Sequence, residues 1–97
     1  MDITIDKIRI LDKGNLKALV SIMIDNVLTI HGWRVVQQPG QVAWVSAPQK
    51  EYQLNGVRKF APVVEVERNS PTLRRIEQVI LSAWKAEQQA GDQTEAF

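Results

Sequence analysis

Cysteine is absent from this 97-residue chain, so no disulfide, thiolate zinc site or cysteine nucleophile is available to it. Histidine occurs once, as His31. A metal site would have to be completed by carboxylates, and the Asp and Glu residues do not cluster at ligand spacing, so neither a metal nor another cofactor is expected. No apolar run approaches the roughly 20 residues that span a bilayer. The opening MDITID carries neither a basic leader nor an apolar segment, and the expectation is a cytoplasmic protein with no membrane partner. Paired catalytic carboxylates, a Gly-rich phosphate loop and a Ser/His/Asp arrangement are also lacking, so an enzyme is not expected.

An excess of one charge is missing too: 12 basic and 11 acidic residues leave a formal charge of +1. Their distribution is uneven. Asp2, Asp6, Asp12, Glu87, Asp92 and Glu95 lie toward the ends, whereas Lys50, Arg58, Lys59, Arg68, Arg74 and Arg75 share a middle segment with Glu51, Glu65 and Glu67. A local basic surface attracts phosphates even on a nearly neutral molecule. The hydrophobic fraction of 44% supports a modest core. A chain this short buries only about two-thirds of its unfolded surface, so leftover apolar faces or strand edges favour self-association, and a homodimer is expected. One domain is assigned to residues 1–90, with 91–97 as a flexible tail beyond a stop at Gly91.

Five extended segments precede a helix. Ile3 and Ile5 alternate out of phase with Ile8 and Ile10, which predicts a bulge near Asp6-Lys7. After a turn at Lys13-Gly14-Asn15, the second strand places Leu16, Ala18, Val20, Ile22 and Ile24 on one face. Its other face, Lys17, Leu19, Ser21, Met23 and Asp25, is half apolar and so partly covered. Asp25-Asn26 is hairpin turn chemistry and leads into a strand over 27–36. Pro39-Gly40 closes that strand, and a fourth, 42–47, ends at Pro48. Residues 49–57 are expected as a polar, mobile loop, and 59–67 as an edge strand interrupted by Pro62. Ser70 as cap and Pro71 at the first helical position start a helix over 71–87, with Leu73, Ile76, Val79, Ile80, Ala83 and Trp84 facing the sheet.

The ordered set of segments resembles the SpoVG family (stage V sporulation protein G, putative septation proteins). The resemblance is carried by Ser21-Ile22-Met23-Ile24-Asp25 followed by Ile30-His31-Gly32-Trp33-Arg34-Val35. It extends to Ile3-Thr4-Ile5-Asp6-Lys7-Ile8-Arg9, Val45-Ser46-Ala47-Pro48-Gln49-Lys50, Val57-Arg58-Lys59-Phe60-Ala61-Pro62 and the helix at 72–85. The resemblance implies a small dimeric sheet-plus-helix module that binds DNA and RNA, regulates gene expression, sporulation or septation, and has no known catalysis. Lys50, Arg58, His31 and Arg34 match basic or polar positions of the family. The chain departs from the family pattern at Glu51, Lys59 and Pro62-Val63, and carries unusually large residues at Trp33 and Trp44.

The expected fold is α+β: a twisted antiparallel sheet of four to five strands followed by a C-terminal helix, as a homodimer. The expected site is a nucleic-acid-binding surface made by Lys50, Arg58, Lys59, Arg74 and Arg75, with His31 and Arg34. Against it stand a solvated loop for the first group, a solvated helix face for the Arg pair, and a strand with a locally hydrogen-bonded His31 for the third. In that strand alternation would send His31 and Trp33 to one face, Gly32 and Arg34 to the other. The three tryptophans are expected in the core or at a dimer interface. The alternative function is a protein-interaction module acting in cell division, whose partner is a division or regulatory protein.

Overall fold

The computed structural model describes the backbone of residues 1–95 and the side chains of residues 1–89. The chain folds as β1 (Ile3–Lys13), β2 (Leu16–Ile24), β3 (Leu28–Val36), β4 (Trp44–Ser46), β5 (Gln49–Leu54), β6 (Val57–Pro62) and α1 (Pro71–Glu95). Strands β1 to β4 form one antiparallel sheet in sequential order, and β5 and β6 form a second, two-stranded sheet. The class is α+β, as expected.

The phase slip in β1 is a bulge at the predicted place. Ile5 pairs with Ile22 and Lys7 with Ser21, which leaves Asp6 as the extra residue. Directly paired side chains share a face. The bulge therefore returns Ile8 and Ile10, opposite Val20 and Ala18, to the face already occupied by Ile3 and Ile5. Four isoleucines that simple alternation would divide between two faces end on one.

The β2–β3 connection has the backbone that Asp and Asn were expected to supply. Asp25 and Asn26 have φ of 54° and 56°, the positive pair of a type I′ turn, and the Val27 N–H donates to the Ile24 carbonyl at 3.0 Å. A second bulge lies in β3, where Val20 pairs with Trp33 and Ile22 with Ile30. His31 and Gly32 thus stand opposite Ser21 alone. This overturns the expected alternation: Trp33 faces the helix and is fully buried, whereas His31 is exposed on the opposite face. Gly32 has φ of 93°, a conformation that L side chains rarely adopt. A third bulge, at Lys17, pairs Leu16 with Val36 and Ala18 with Val35. Leu16 consequently leaves the apolar row of Ala18, Val20 and Ile22.

Helix α1 packs on one face of the main sheet, against β1, β3 and β4. Ile76, Ile80 and Trp84, spaced at four residues, meet Ile3, Ala18, Val20, Ile22, Trp33 and Val35 in a single core. The cap forms as expected: the Leu73 N–H donates to Ser70 Oγ at 3.1 Å, satisfying one of the orphan donors of the first turn. Ser70→Ala is expected to cost about 1 kcal/mol. That should lower the melting midpoint by about 4–8 °C for a domain of this size, a shift that differential scanning calorimetry resolves. The helix does not stop at Gly91 but runs to Glu95. The remainder of the tail assigned from sequence, residues 96–97, lies outside the described residues.

The largest departure from expectation concerns residues 49–57. They form no loop: β5 and the Asn55-Gly56 turn occupy them. Asn55 and Gly56 have φ of 54° and 78°, again the positive pair of a type I′ turn. The strand expected at 59–67 is instead β6, Val57–Pro62, and its partner is β5 rather than the main sheet. The main sheet therefore has four strands. Strand β4 is shorter than the 42–47 expected. Among the described residues, no helix is long and apolar enough to cross a membrane.

Candidate functional site

The basic residues picked out by sequence fall on three separate surfaces. Lys50, Arg58 and Lys59 lie on the β5–β6 hairpin, whose residues are exposed except for half-buried Ala61. Pairing divides them. Tyr52 stands opposite Lys59, and Lys50, two residues before Tyr52, shares its face. Tyr52 is thus flanked by two cations on a face that otherwise carries Leu54, Val57 and Ala61 and no carboxylate. Arg58 points to the other face, where its Nε lies 2.5 Å from Glu51 Oε1. The sequence-based expectation grouped Arg58 with the two lysines; strand alternation separates it from them and gives it a counter-ion.

Arg74 and Arg75 are exposed in the first turns of α1. The Arg74 guanidinium folds back and donates to the Asn69 carbonyl at 2.7 Å, so it braces the entry to the helix. This pair lies in the helical layer.

His31 and Arg34 belong to the layer opposite, on the sheet face that α1 leaves open. Ser21 Oγ and His31 Nδ1 share a hydrogen bond of 2.7 Å, the local partner expected for this histidine. Arg34 stands between Leu19 on β2 and Ser46 on β4. With the four-stranded sheet between them, the Arg74-Arg75 pair and the His31-Arg34 pair cannot line one contact surface.

Pairing also brings to the open face residues that the sequence did not single out. Lys7 is opposite Ser21, whose other neighbour is His31. Arg9 is opposite Leu19, whose other neighbour is Arg34. Lys13, Leu16, Val36 and Trp44 make the next row. The signal for Lys7 and Arg9 was their alternation with Ile8 and Ile10 after the β1 bulge, which assigns them to the face away from the isoleucines. Among the described residues, ion pairs form between Lys17 and Asp12 and between Arg58 and Glu51. Lys7, Arg9, Lys13 and Arg34 take part in neither. No group of His, Asp and Glu among the described residues is arranged to hold a metal.

The order of these elements, a bulged first strand, the Asp25-Asn26 hairpin with His31 and Arg34 on its second arm, the basic β5–β6 segment and the closing helix, is matched by the SpoVG family model over residues 1–86. The chain belongs to the SpoVG family. Membership supports a sporulation- or septation-associated protein, in a family not known for enzymes. No curated protein and no solved structure gives a significant match to the chain. For this SpoVG protein the match includes all six strands and most of the helix, so each surface described above except the helix C-terminal turns lies within the family's own span.

Proposed function

We propose that the protein is a nucleic-acid-binding regulator of the SpoVG type, acting on DNA or RNA in the control of septation or sporulation. The observation that carries this reading is the hairpin face on which Lys50 and Lys59 flank exposed Tyr52 without a carboxylate. Long cationic side chains on a projecting ribbon reach a phosphate backbone at little cost to the fold, and an aromatic ring between them offers a plane for a base or sugar. Phosphate contacts of this kind read no sequence, so discrimination between targets should be weak. Lys50→Ala/Lys59→Ala is expected to weaken binding to DNA and RNA alike, roughly tenfold at moderate salt, and to flatten the salt dependence. Arg58→Ala, whose charge is already met by Glu51, should do less. The check is fluorescence anisotropy over a salt series; unaltered binding by the double-lysine variant would remove this face from the site.

We further propose a homodimer. Leu54, Val57, Phe60 and Val63 are each more than half exposed, and apolar side chains clustered on and beside one hairpin are suited to cover by a second copy. The same cluster favours the second reading, a protein-interaction module that docks a division or regulatory protein without touching nucleic acid. Absence of any binding to DNA or RNA at low salt would favour that reading over the first.

A further inference from the structure

We propose that the open face of the main sheet is a platform for a single strand of nucleic acid, held by Lys7, Arg9, Lys13 and Arg34, with an unstacked base against Trp44. The proposal rests on the nucleic-acid reading above and adds to it a second surface and a preference for single strands.

The first support is charge. Among the residues that strand pairing assigns to this face, four are cationic and none is acidic: Lys7 and Arg9 from β1, Lys13 at its end, and Arg34 from β3. The hairpin face has two cations, and the other cation of that ribbon is neutralised by Glu51. The carboxylates of β1 escape the face because they sit at its irregularities. Asp6 is the bulged residue, and Asp12 falls in the register break between Ile10 and Lys13, where it meets Lys17 at 3.9 Å.

The second support is spacing. Arg9 and Arg34 lie on either side of Leu19, about 10 Å apart across two strand spacings, and Lys7 and Arg9 are two residues apart, about 7 Å along the strand. Cations at these intervals form a track rather than a point, which suits a polyanion and not a single phosphate ion. A shallow groove bordered by Lys7, Arg9, Leu19, Ser21 and Gly32 lies on the track.

The third support is Trp44. Trp33 and Trp84 are buried, whereas Trp44 is 50% exposed. Its pairing with Val36 sets it on the open face, while Val45 packs into the core. An indole at the end of a cationic track can stack on a base only when that base has left its duplex. A sheet face also projects nothing into a groove, so it offers a duplex little beyond phosphate contacts, whereas a splayed strand can use the ring, the half-buried Leu19 and the cations together.

The test uses fluorescently labelled 12-nucleotide single strands of RNA and DNA and a duplex of the same sequence, with the full-length protein. Tighter binding of the single strands is expected, with quenching of the iodide-accessible tryptophan emission, which belongs to Trp44. The variant Lys7→Gln/Arg9→Gln/Arg34→Gln should lose at least about tenfold in affinity for the single strands, and its salt slope should fall by about two. A triple variant that binds normally, while Lys50→Ala/Lys59→Ala does not, would overturn the platform and leave the nucleic-acid function standing on the hairpin. Equal or tighter binding of the duplex would overturn the strand preference, and an unchanged Trp44 signal in the saturated wild-type complex would overturn the placement without relying on any variant. No binding of any probe at low salt would remove the function and the platform together.

Discussion

Replacing Trp33 with alanine is expected to cost about 3–5 kcal/mol, the range for truncating a large aromatic in a packed core. Trp33 is fully buried at the centre of the sheet face that α1 covers, paired with Val20 and within the cluster that includes Ile76, Ile80 and Trp84. A domain of this length has about 5–15 kcal/mol of stability in total, so the variant should lose about a fifth of it at the least, and at the lower end of that stability range should be largely unfolded at physiological temperature. The urea midpoint should fall with the slope unchanged, since the surface exposed on unfolding hardly alters. Trp33→Phe separates two contributions. The indole Nε1 of Trp33 is buried without a hydrogen-bond partner among the described residues, and an unsatisfied buried donor costs about 1–3 kcal/mol. Phenylalanine loses some volume but removes that donor, so its penalty should be well under half that of alanine. A Trp33→Phe variant as unstable as Trp33→Ala would show that the indole N–H contributes to stability rather than costing it.

Gly32→Ala is the second large effect, at about 1–3 kcal/mol. The bulge holds Gly32 at φ of 93°, and a Cβ added there would sit 3.3 Å from Pro48 Cβ. Backbone conformation and steric contact therefore penalise the same substitution. Pro48→Gly in the same chain relieves the contact and not the φ, so a double-mutant cycle should return a favourable coupling smaller than the Gly32→Ala penalty itself. Loss of the whole penalty in the Pro48→Gly background would mean that the backbone at Gly32 is unstrained. The substitution should also disturb the Ser21–His31 hydrogen bond, because His31 faces Ser21 only through the bulge; the imidazole NMR resonances would report the change.

Local chemistry made much of the fold legible. The phase of four isoleucines located the β1 bulge, Asp25-Asn26 announced a hairpin, and Ser70-Pro71 with apolar residues at helical spacing fixed the helix start and its buried face. The β5–β6 hairpin was equally available, since Asn55-Gly56 is a strong type I′ signal and Lys50, Tyr52 and Leu54 alternate with polar residues. Its first arm reads as loop because a ribbon exposed on both faces lacks the polar-to-apolar contrast by which strands are ordinarily found. Gly91 failed as a stop because glycine in a helix costs only about 1 kcal/mol relative to alanine.

The candidate sites were less legible for a different reason. Closeness in sequence groups Arg58 with Lys50 and Lys59 and leaves Lys7 and Arg9 apart from them. Which face a strand residue occupies depends on register, and a single extra residue reverses it for everything beyond. At Gly32 that reversal sends Trp33 into the core and leaves His31 outside, and at Asp6 it aligns Lys7 and Arg9 with Arg34 across β2. Residues adjacent in the chain suffice for the Asp25-Asn26 turn, the helix cap, the buried face of the helix and the absence of thiol chemistry. Which cations share a surface and which are neutralised follows instead from pairing between strands and from the side of the sheet on which the helix packs, neither of which is local.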